Sequence, residues 1–215
     1  MVDNTQLAAL RHDFDRAGLS ENDANADPVE QFRSWLETAI GSGIKDANAM
    51  TVSTVGADGR PSARVVLLKY FDESGFTFFT NYGSRKGREI ELNPAAEFHF
   101  FWPDLERQIS VAGRVEKASH KLSEDYFLSR PLASRIGAWA SGQSAEIASR
   151  KTLEERVEFY QDKFGEDVPL PDFWGGFTMK PDRFEFWQGR RSRLHDRLVY
   201  SLGASGEWHI ARLAP

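Results

Sequence analysis

Between Met50 and Thr80 the chain reads MTVSTV-GADGR-PSARVVLLKYF-DESG-FTFFT. Three runs rich in β-branched and aromatic residues, at Met50–Val55, Ser62–Phe71 and Phe76–Thr80, alternate with two short runs of turn-forming residues. Strands joined by such short turns pair in antiparallel fashion, because a tight hairpin reverses the chain. The segment therefore predicts the beginning of an antiparallel sheet.

The rest of the chain continues the strand pattern and inserts helices into it. Further strands are predicted at Glu97–Trp102, Arg107–Glu116, Gly176–Lys180, Arg183–Gln188, Leu198–Leu202 and Trp208–Leu213. Helices are predicted at Ser84–Leu92, Ser119–Leu128 and Thr152–Lys163. Many short strands with a few helices favour a mainly β fold, an antiparallel sheet closed into a barrel with helices packed outside. We expect residues 1–215 to form a single domain.

Two helices are predicted ahead of the first strand. Apolar residues recur at helical spacing from Leu7 to Ala17, and Gly18 predicts the end of that helix. A second helix begins at Asp27, a capping residue followed by a proline, and its apolar stripe ends near Gly41. Residues 1–26 are interpreted as an N-terminal arm that is free to move.

Composition and charge narrow the class of protein. The 215 residues are 40% hydrophobic and 27% charged, with no cysteine and a net charge of −5. The lack of cysteine excludes disulfides and thiolate chemistry and fits a cytoplasmic protein, as does a first segment unlike a signal peptide. No apolar run approaches the roughly 20 residues of a membrane span. The negative net charge argues against nucleic acid as a partner, and short cationic clusters suit a small phosphorylated ligand instead.

The first cluster lies at Tyr82–Lys86, where a strand gives way to a helix. Ser84 is the predicted cap, which places Arg85 and Lys86 in the first turn, where the helix dipole is already positive. A bound phosphate would remove this conflict, because the free backbone N–H groups and both cations can contact it. The alternative is that both side chains point into solvent.

The second and third clusters are also cationic. In a regular strand Arg64 and Lys69 lie about 16 Å apart on opposite faces, so that they can serve two anions at the ends of a flat ligand, and a bulge is needed if both face one cavity. Two surface cations that bracket a strand are the alternative. Farther on, Tyr126, Arg130 and Ser134 can form a phosphate cup, because Pro131 should end a helix there and expose the guanidinium.

The fourth cluster is the run from Arg193 to Arg197, which reads RLHDR and follows an aromatic strand pattern. If this run is extended, Arg193, His195 and Arg197 share one face and would contact an anion or an electron-rich ring. A solvated basic edge strand is the alternative. Motifs of the dinucleotide-binding, P-loop, zinc-protease and serine-hydrolase types are absent from the sequence. Several anion sites without an evident nucleophile suggest that the chemistry comes from a cofactor.

These motifs resemble the pyridoxine (pyridoxamine) 5'-phosphate oxidase family over essentially the full length of the chain. The most specific match is Phe184–Gln188 followed by Arg193–Arg197. The supporting matches are Arg64–Lys69, Phe79–Lys86, Leu105–Gln108, Ser129–Pro131, Gln143-Ser144, Phe173–Phe177 and Arg212–Pro215. The resemblance implies a homodimeric split barrel that binds FMN at the subunit interface, without a metal.

The resemblance also implies a role for each matched residue. The FMN phosphate would be held by Arg64, Arg85 and Lys86. The flavin would be lined by Val65, Val66, Leu67, Leu68, Lys69, Phe79 and Thr80, and completed by Gln108, Gln143, Ser144, Trp187 and Arg197. The substrate would be bound by Lys69, Tyr126, Arg130, Ser134, Arg193, Leu194, His195, Arg11 and Phe14. Arg193, His195 and Arg197 are the implied catalytic residues.

The implied reaction is the FMN-dependent oxidation of pyridoxine or pyridoxamine 5'-phosphate to pyridoxal 5'-phosphate. Dioxygen would accept the electrons and give hydrogen peroxide, with ammonia released from the amine substrate. The family usually has tyrosine at the position of Phe14, so that a hydrogen bond from this residue to the substrate is not expected. Two other functions fit parts of the pattern: a non-catalytic carrier of flavin or vitamin B6 phosphate, and a split-barrel flavoenzyme with another substrate.

Overall fold

The computed structural model describes residues 3–9, 13, 14 and 17–215. Its helices are α1 (Asn4–Ala9), α2 (Pro28–Gly41), α3 (Arg85–Leu92), α4 (His120–Ser129), α5 (Leu132–Ala140) and α6 (Arg150–Phe164). Its strands are β1 (Ala49–Val55), β2 (Pro61–Leu67), β3 (Tyr70–Asp72), β4 (Gly75–Asn81), β5 (Ala95–Trp102), β6 (Arg107–Lys117), β7 (Trp174–Gln188), β8 (Asp196–Leu202) and β9 (Trp208–Arg212). Among these described residues, no helix has the length and apolarity that crossing a membrane requires.

The strands form one sheet in the order β2-β1-β5-β6-β7-β4-β3, and β8 and β9 extend it from β7. The pairs β1–β2, β3–β4, β4–β7, β7–β8 and β8–β9 are all antiparallel. The predicted fold class, a mainly β antiparallel barrel with peripheral helices, is therefore confirmed.

The chain divides into two compact units, each with an aromatic core. The larger unit holds residues 48–98 and 112–181, and Phe76, Phe78 and Phe98 are fully buried in it. The smaller unit holds the described residues of 1–47 together with 99–111 and 182–215, with Phe32 and Phe184 fully buried. Each buried phenylalanine contributes about 1.5–3 kcal/mol relative to an exposed one, so these rings contribute to the stability of each unit.

The helix starts follow the capping rules. The Asp27 side chain accepts a hydrogen bond from the backbone N–H of Val29 at 2.8 Å, and α2 begins at the next residue, Pro28. Ser84 caps α3 in the same way, since its hydroxyl accepts from the backbone N–H of Gly87 at 3.3 Å. Both helix starts were predicted from sequence and are confirmed.

Three parts of the chain have other element bounds than predicted, and one helix was not predicted. The predicted strand Ser62–Phe71 is two strands, because the pairing with β1 ends at Leu67. The two predicted strands at 176–180 and 183–188 are the single strand β7, which continues through Pro181. Helix α5 was not predicted, although Pro131 does end α4 as expected. The predicted helix from Leu7 to Ala17 does not reach its expected end, since α1 is described over Asn4–Ala9 and the described residues 13, 14 and 17 are not helical.

We expect Gly113→Ala to destabilise the protein by about 2 kcal/mol, which is the usual cost of inserting an extra carbon into a well-packed core. A Cβ atom at Gly113 would lie 2.1 Å from the backbone carbonyl oxygen of Lys180, on the neighbouring strand β7, which cannot move without breaking the sheet. The measurement is the free energy of unfolding in urea. Gly137→Ala in α5 is the control, because, apart from its chain neighbours and its own helix backbone, no atom of the described residues lies within 4 Å of the added carbon, and alanine favours helix. Equal stability of the two variants would contradict the packing argument.

Candidate functional site

The break after β2 places two predicted cations on one cavity of the larger unit. After Leu67 the chain turns: the backbone N–H of Leu68 donates to Asn48 at 2.9 Å, and that of Lys69 donates to Thr77 at 2.9 Å. The Leu68 side chain is buried in the core, whereas Arg64 and Lys69 both line the cavity. The sequence analysis required a bulge if Arg64 and Lys69 were to face one cavity, and the break in the strand has the same effect.

This cavity has a volume of about 500 Å³ and is lined by cations and rings. Four of its lining residues are cations, Arg64, Lys69, Lys86 and Arg130, and none of the twelve lining residues in the described part of the chain is acidic. The other lining residues are Val65, Val66, Leu67, Phe79, Thr80, Tyr126, Gln143 and Trp174. Such a lining suits a ligand that is aromatic and carries negative charge.

Lys86 is a buried cation at this cavity. Its side chain extends from the first turn of α3 and its Nζ donates to Thr80 Oγ1 at 3.0 Å and to Gln143 Oε1 at 2.9 Å. Burial, together with the nearby charge of Arg64, lowers the pKa of Lys86 to about 8. Because its partners are neutral, the ammonium would gain from a bound anion.

The Arg85 side chain does not line the cavity beside Lys86, where the sequence predicted it. Its side chain is 58% exposed and its Nε donates to Glu89 Oε1 at 2.8 Å, one helical turn farther along α3. Glu89 is itself buried and also contacts Arg64, with 3.3 Å between Arg64 Nη2 and Glu89 Oε2. Burial alone raises the pKa of Glu89, but hydrogen bonds from Ser62, Thr54 and Arg85 lower it to about 2. The sequence argument missed Glu89, although its spacing of four from Arg85 is the available signal.

The other end of the cavity is built around Arg130. Its guanidinium stacks over the ring of Trp174, with 4.7 Å between Cζ and the ring centroid, and its Nη1 is buried without a hydrogen-bond partner among the described residues. Tyr126 stacks on Phe79 with 4.0 Å between the ring centroids. Lys69 Nζ lies 6.0 Å from the centroid of Tyr126. A buried donor without a partner is costly, so Arg130 is prepared to bind an anion or an ordered water.

A second cavity of the larger unit has different chemistry. It has a volume of about 600 Å³, and its lining includes Trp139, Phe159, Tyr160 and Phe173 but a single cation, Arg156, among the described residues. The first cavity, which is lined by four cations, is therefore the better candidate for an anionic ligand, although its volume is lower.

In the smaller unit, three rings meet at the predicted catalytic segment. Trp187 and His195 lie 4.5 Å apart between ring centroids, and Phe14 packs edge-on against both, at 5.8 Å from Trp187 and 5.3 Å from His195. Gly189 makes room for Phe14, because a Cβ atom there would lie 2.6 Å from the Phe14 ring. Phe14 therefore covers one side of the His195 imidazole.

Ion pairs hold the segment between Phe14 and α2 in the smaller unit. Arg212 pairs with Glu21 at 2.8 Å and with Asp196 at 2.7 Å. The Asp196 carboxylate also accepts a hydrogen bond from the backbone N–H of Leu19 at 3.0 Å. The residue next to His195 thus fixes the chain that leads to Phe14.

The protonation of His195 follows from its contacts. Burial, and after it the charge of Arg193, lower the pKa of His195 below its ordinary value, which favours the neutral imidazole. Its Nδ1 accepts the backbone N–H of Arg190 at 3.1 Å, which places the single proton of the neutral ring on Nε2. His195 can therefore donate a hydrogen bond through Nε2.

The predicted alternation of Arg193, His195 and Arg197 on one strand face is wrong. Residues Arg191–Arg193 form a 3-10 turn, Arg193 has a φ of +60°, and β8 begins only at Asp196. A left-handed arginine is uncommon and typical of functional turns. Arg197 is paired with Glu185, with its Nη2 2.7 Å from Glu185 Oε1, and donates to the carbonyl of Ala214 at 3.0 Å.

The remaining predicted residues are scattered. Gln108 lies half-buried on β6, and Leu194 is exposed in the turn before β8. Ser144 is exposed with a φ of +70°, next to Gln143. Ser134 lies in the first turn of α5 and does not line the cavity that Arg130 lines. Arg11 lies outside the described residues.

Together these features define a class: an antiparallel β-barrel protein with a cationic, aromatic cavity for an anionic ring-shaped ligand. Comparison with known families makes this more specific. Residues 36–163 match the model described as pyridoxamine 5'-phosphate oxidase, and residues 174–215 match the one described as the pyridoxine 5'-phosphate oxidase C-terminal dimerisation region. The chain belongs to the pyridoxamine 5'-phosphate oxidase family.

Individual relatives agree with this assignment. The chain is 54% identical to a pyridoxine/pyridoxamine 5'-phosphate oxidase of Cupriavidus pinatubonensis over 211 residues, covering 98% of this chain and 100% of the relative. A relative of the same name from Burkholderia multivorans is 54% identical over 213 residues, with the same coverage.

Solved structures share the split-barrel fold. PhzG from Burkholderia lata, solved with tetrahydrophenazine-1-carboxylic acid, is 27% identical, with a TM-score of 0.88 over 95% of this chain and 100% of PhzG. An FMN-binding protein from Nostoc punctiforme is 20% identical, with a TM-score of 0.67 over 86% of this chain and 97% of its own, which supports the fold alone.

Proposed function

We propose that the protein is an FMN-dependent oxidase that converts pyridoxine or pyridoxamine 5'-phosphate to pyridoxal 5'-phosphate. Dioxygen is the electron acceptor, hydrogen peroxide is formed, and the amine substrate releases ammonia. The observation that carries the proposal is the cavity with cations at two places: Arg64 and Lys86 near the start of α3, and Lys69 and Arg130 near the end of α4. A phosphorylated cofactor and a phosphorylated substrate need two such anion sites.

The residues present fit FMN on chemical grounds. Lys86 is buried against neutral partners and Arg130 has a buried Nη1 without a partner in the described part of the chain, so both gain from an anion. Arg64 and Lys86, which line the cavity, would hold the cofactor phosphate together with Arg85, which lies outside the lining and is paired with Glu89, and Phe79 and Thr80 with the segment Val65–Leu67 would line its ring. Lys69, Tyr126 and Arg130 would hold the substrate phosphate.

FMN, when bound, accepts a hydride equivalent from the substrate and passes the electrons to dioxygen. The chain itself binds, orients and excludes water. Arg193 would lie over the substrate ring as a cation, and His195 would donate a hydrogen bond from Nε2, since its Nδ1 is occupied by the backbone of Arg190. Phe14 packs edge-on against His195 and supplies no hydroxyl. Arg197, oriented by Glu185, would stabilise negative charge that develops on the flavin.

The proposal includes a homodimer in the cytoplasm. The match of residues 174–215 to a dimerisation region supports two copies of the chain, and the absence of cysteine suits a reducing compartment. Gln108, Gln143, Ser144 and Trp187 would complete the FMN sites of this dimer. The likeness to PhzG makes an aromatic carboxylic acid the rival substrate, because a carboxylate could also bind Lys69 and Arg130.

We expect the purified protein to be yellow and its flavin absorbance near 450 nm to be bleached by pyridoxamine 5'-phosphate without oxygen, a wavelength that belongs to the cofactor. Pyridoxal 5'-phosphate should form together with the bleaching, and admitting oxygen should then restore the band and produce hydrogen peroxide. Unphosphorylated pyridoxamine is the control. A flavin that stays oxidised with both phosphorylated substrates but is reduced by a partly reduced ring carboxylic acid such as tetrahydrophenazine-1-carboxylic acid would refute the proposed substrate.

We expect Arg64→Ala to weaken FMN binding and Arg130→Ala to raise KM while leaving the flavin in place. Each lost charge-assisted contact should cost about 1.5–3 kcal/mol at its own anion site. Flavin content of the purified variants and KM for pyridoxine 5'-phosphate are the measurements. Arg135→Ala in α5, which does not line the cavity, is the control. Loss of flavin from Arg130→Ala at an unchanged KM would show that the two sites are assigned the wrong way round.

We expect Arg193→Leu to keep its FMN and to lose at least about tenfold in kcat/KM, which corresponds to about 1.4 kcal/mol of transition-state stabilisation. Leucine keeps the bulk of the side chain and removes the cation. His195→Ala should act in the same direction. Steady-state aldehyde formation beside the flavin absorbance of each variant is the measurement. Near wild-type turnover in both variants would place these residues on a solvated surface.

A further inference from the structure

Glu89 is a buried carboxylate that the proposed reaction does not use. Its side chain is 8% exposed. Oε2 accepts hydrogen bonds from the hydroxyls of Thr54 and Ser62, both at 2.5 Å, and lies 3.3 Å from Arg64 Nη2, whereas Oε1 accepts from Arg85 Nε at 2.8 Å. A buried carboxylate is costly unless it is fully paired, and here both oxygens are engaged. Its position is therefore specified by the surrounding side chains.

The two arginines depend on Glu89 to different degrees. Arg64 also donates to the carbonyl of Val52 at 3.0 Å and to Thr54 Oγ1 at 2.6 Å, so that several groups fix its guanidinium. Arg85 is 58% exposed, and its Nε is held by Glu89. Glu89 thus brings the more exposed arginine towards the better fixed one.

The net charge of Glu89 and the three neighbouring cations suits a phosphate group. Arg64, Arg85 and Lys86 carry three positive charges, and the carboxylate of Glu89 reduces the net charge to +2. A phosphate monoester carries about −1.5 to −2 at neutral pH, which such a site would neutralise. Glu89 and a phosphate bound by Arg64 and Arg85 would compete for the same donors, and their like charges would repel.

We propose that Glu89 is the internal counter-ion of the phosphate site: it stabilises the empty site and weakens the attraction of Arg64 and Arg85 for a phosphate group. The identity of the ligand as FMN rests on the proposed function, but the role of Glu89 concerns any phosphate at these arginines. Glu89 is then a specificity-determining residue, because it sets how strongly the protein prefers FMN to riboflavin, the same ring system without the phosphate.

The test is Glu89→Gln in the full-length protein freed of flavin, because glutamine keeps the shape and removes the charge. FMN affinity should rise about fivefold relative to wild type while riboflavin affinity stays the same, both measured by quenching of flavin fluorescence. The thermal midpoint of the flavin-free variant should fall, and inorganic phosphate should raise it by more than in wild type. Glu91→Gln is the matched control, since Glu91 is an exposed acid on the same helix and its loss changes the net charge equally.

Each of the other possible results would contradict a specific part of the proposal. Weaker FMN binding in Glu89→Gln would show that Glu89 positions the arginines rather than restrains them. Equal changes for FMN and riboflavin, or the same gain in Glu91→Gln, would refute a local role at the phosphate site. A wild-type protein that does not prefer FMN to riboflavin would contradict the proposed function, and in that case the response to inorganic phosphate alone decides whether Glu89 is the counter-ion.

Discussion

Repulsion among four cations around one cavity is the constraint that the larger unit has to satisfy. Each cation is placed at the cavity by a different element of the backbone: Arg64 by strand β2, Lys69 by the break after β2, Lys86 by the first turn of α3, and Arg130 by the end of α4 before a proline. Lys86 and Arg130 are supported by neutral polar groups and by rings, such as Trp174 under Arg130, whereas Arg64 is paired with the buried carboxylate of Glu89. Because the partners of Lys86 and Arg130 do not neutralise their charges, the cavity remains attractive to an anion, and part of the folding free energy is used to hold it in that state.

Turn chemistry and helix capping could be predicted from sequence because they depend on near neighbours. Asp27 and Ser84 mark the starts of α2 and α3, and Pro131 marks the end of α4, each by a local rule. The strands of the hairpin β1–β2 follow from the same kind of signal. Helix α5 was missed because its residues Leu132–Ala140 follow a proline directly and carry no side-chain cap.

What could not be predicted depends on contacts distant in sequence or on single dihedral angles. The chain changes hydrogen-bond partner between Leu68, which donates to Asn48 beside β1, and Lys69, which donates to Thr77 on β4, and no local sequence signal predicts this change. Glu89 looks like an ordinary helix-surface acid until its pairing with Arg64 is seen, 25 residues away. The left-handed φ of Arg193 breaks an alternation that the residue types alone favour. The cationic clusters could be identified from sequence, because the charged residue types are given there. Which of these cations pair with an acid and which do not could not be predicted.

The break at Leu68 and Lys69 also bears on how this segment can change in evolution. Leu68 is anchored in the core while its two neighbours in the chain are exposed, so that one inserted or deleted residue between β2 and β3 would exchange the inward and outward positions. The hairpin turn at 56–60 carries no such constraint, because it connects two strands at the surface. Chain length should therefore be invariant at the first connection and free to drift at the second, even where the residue types at both are replaced.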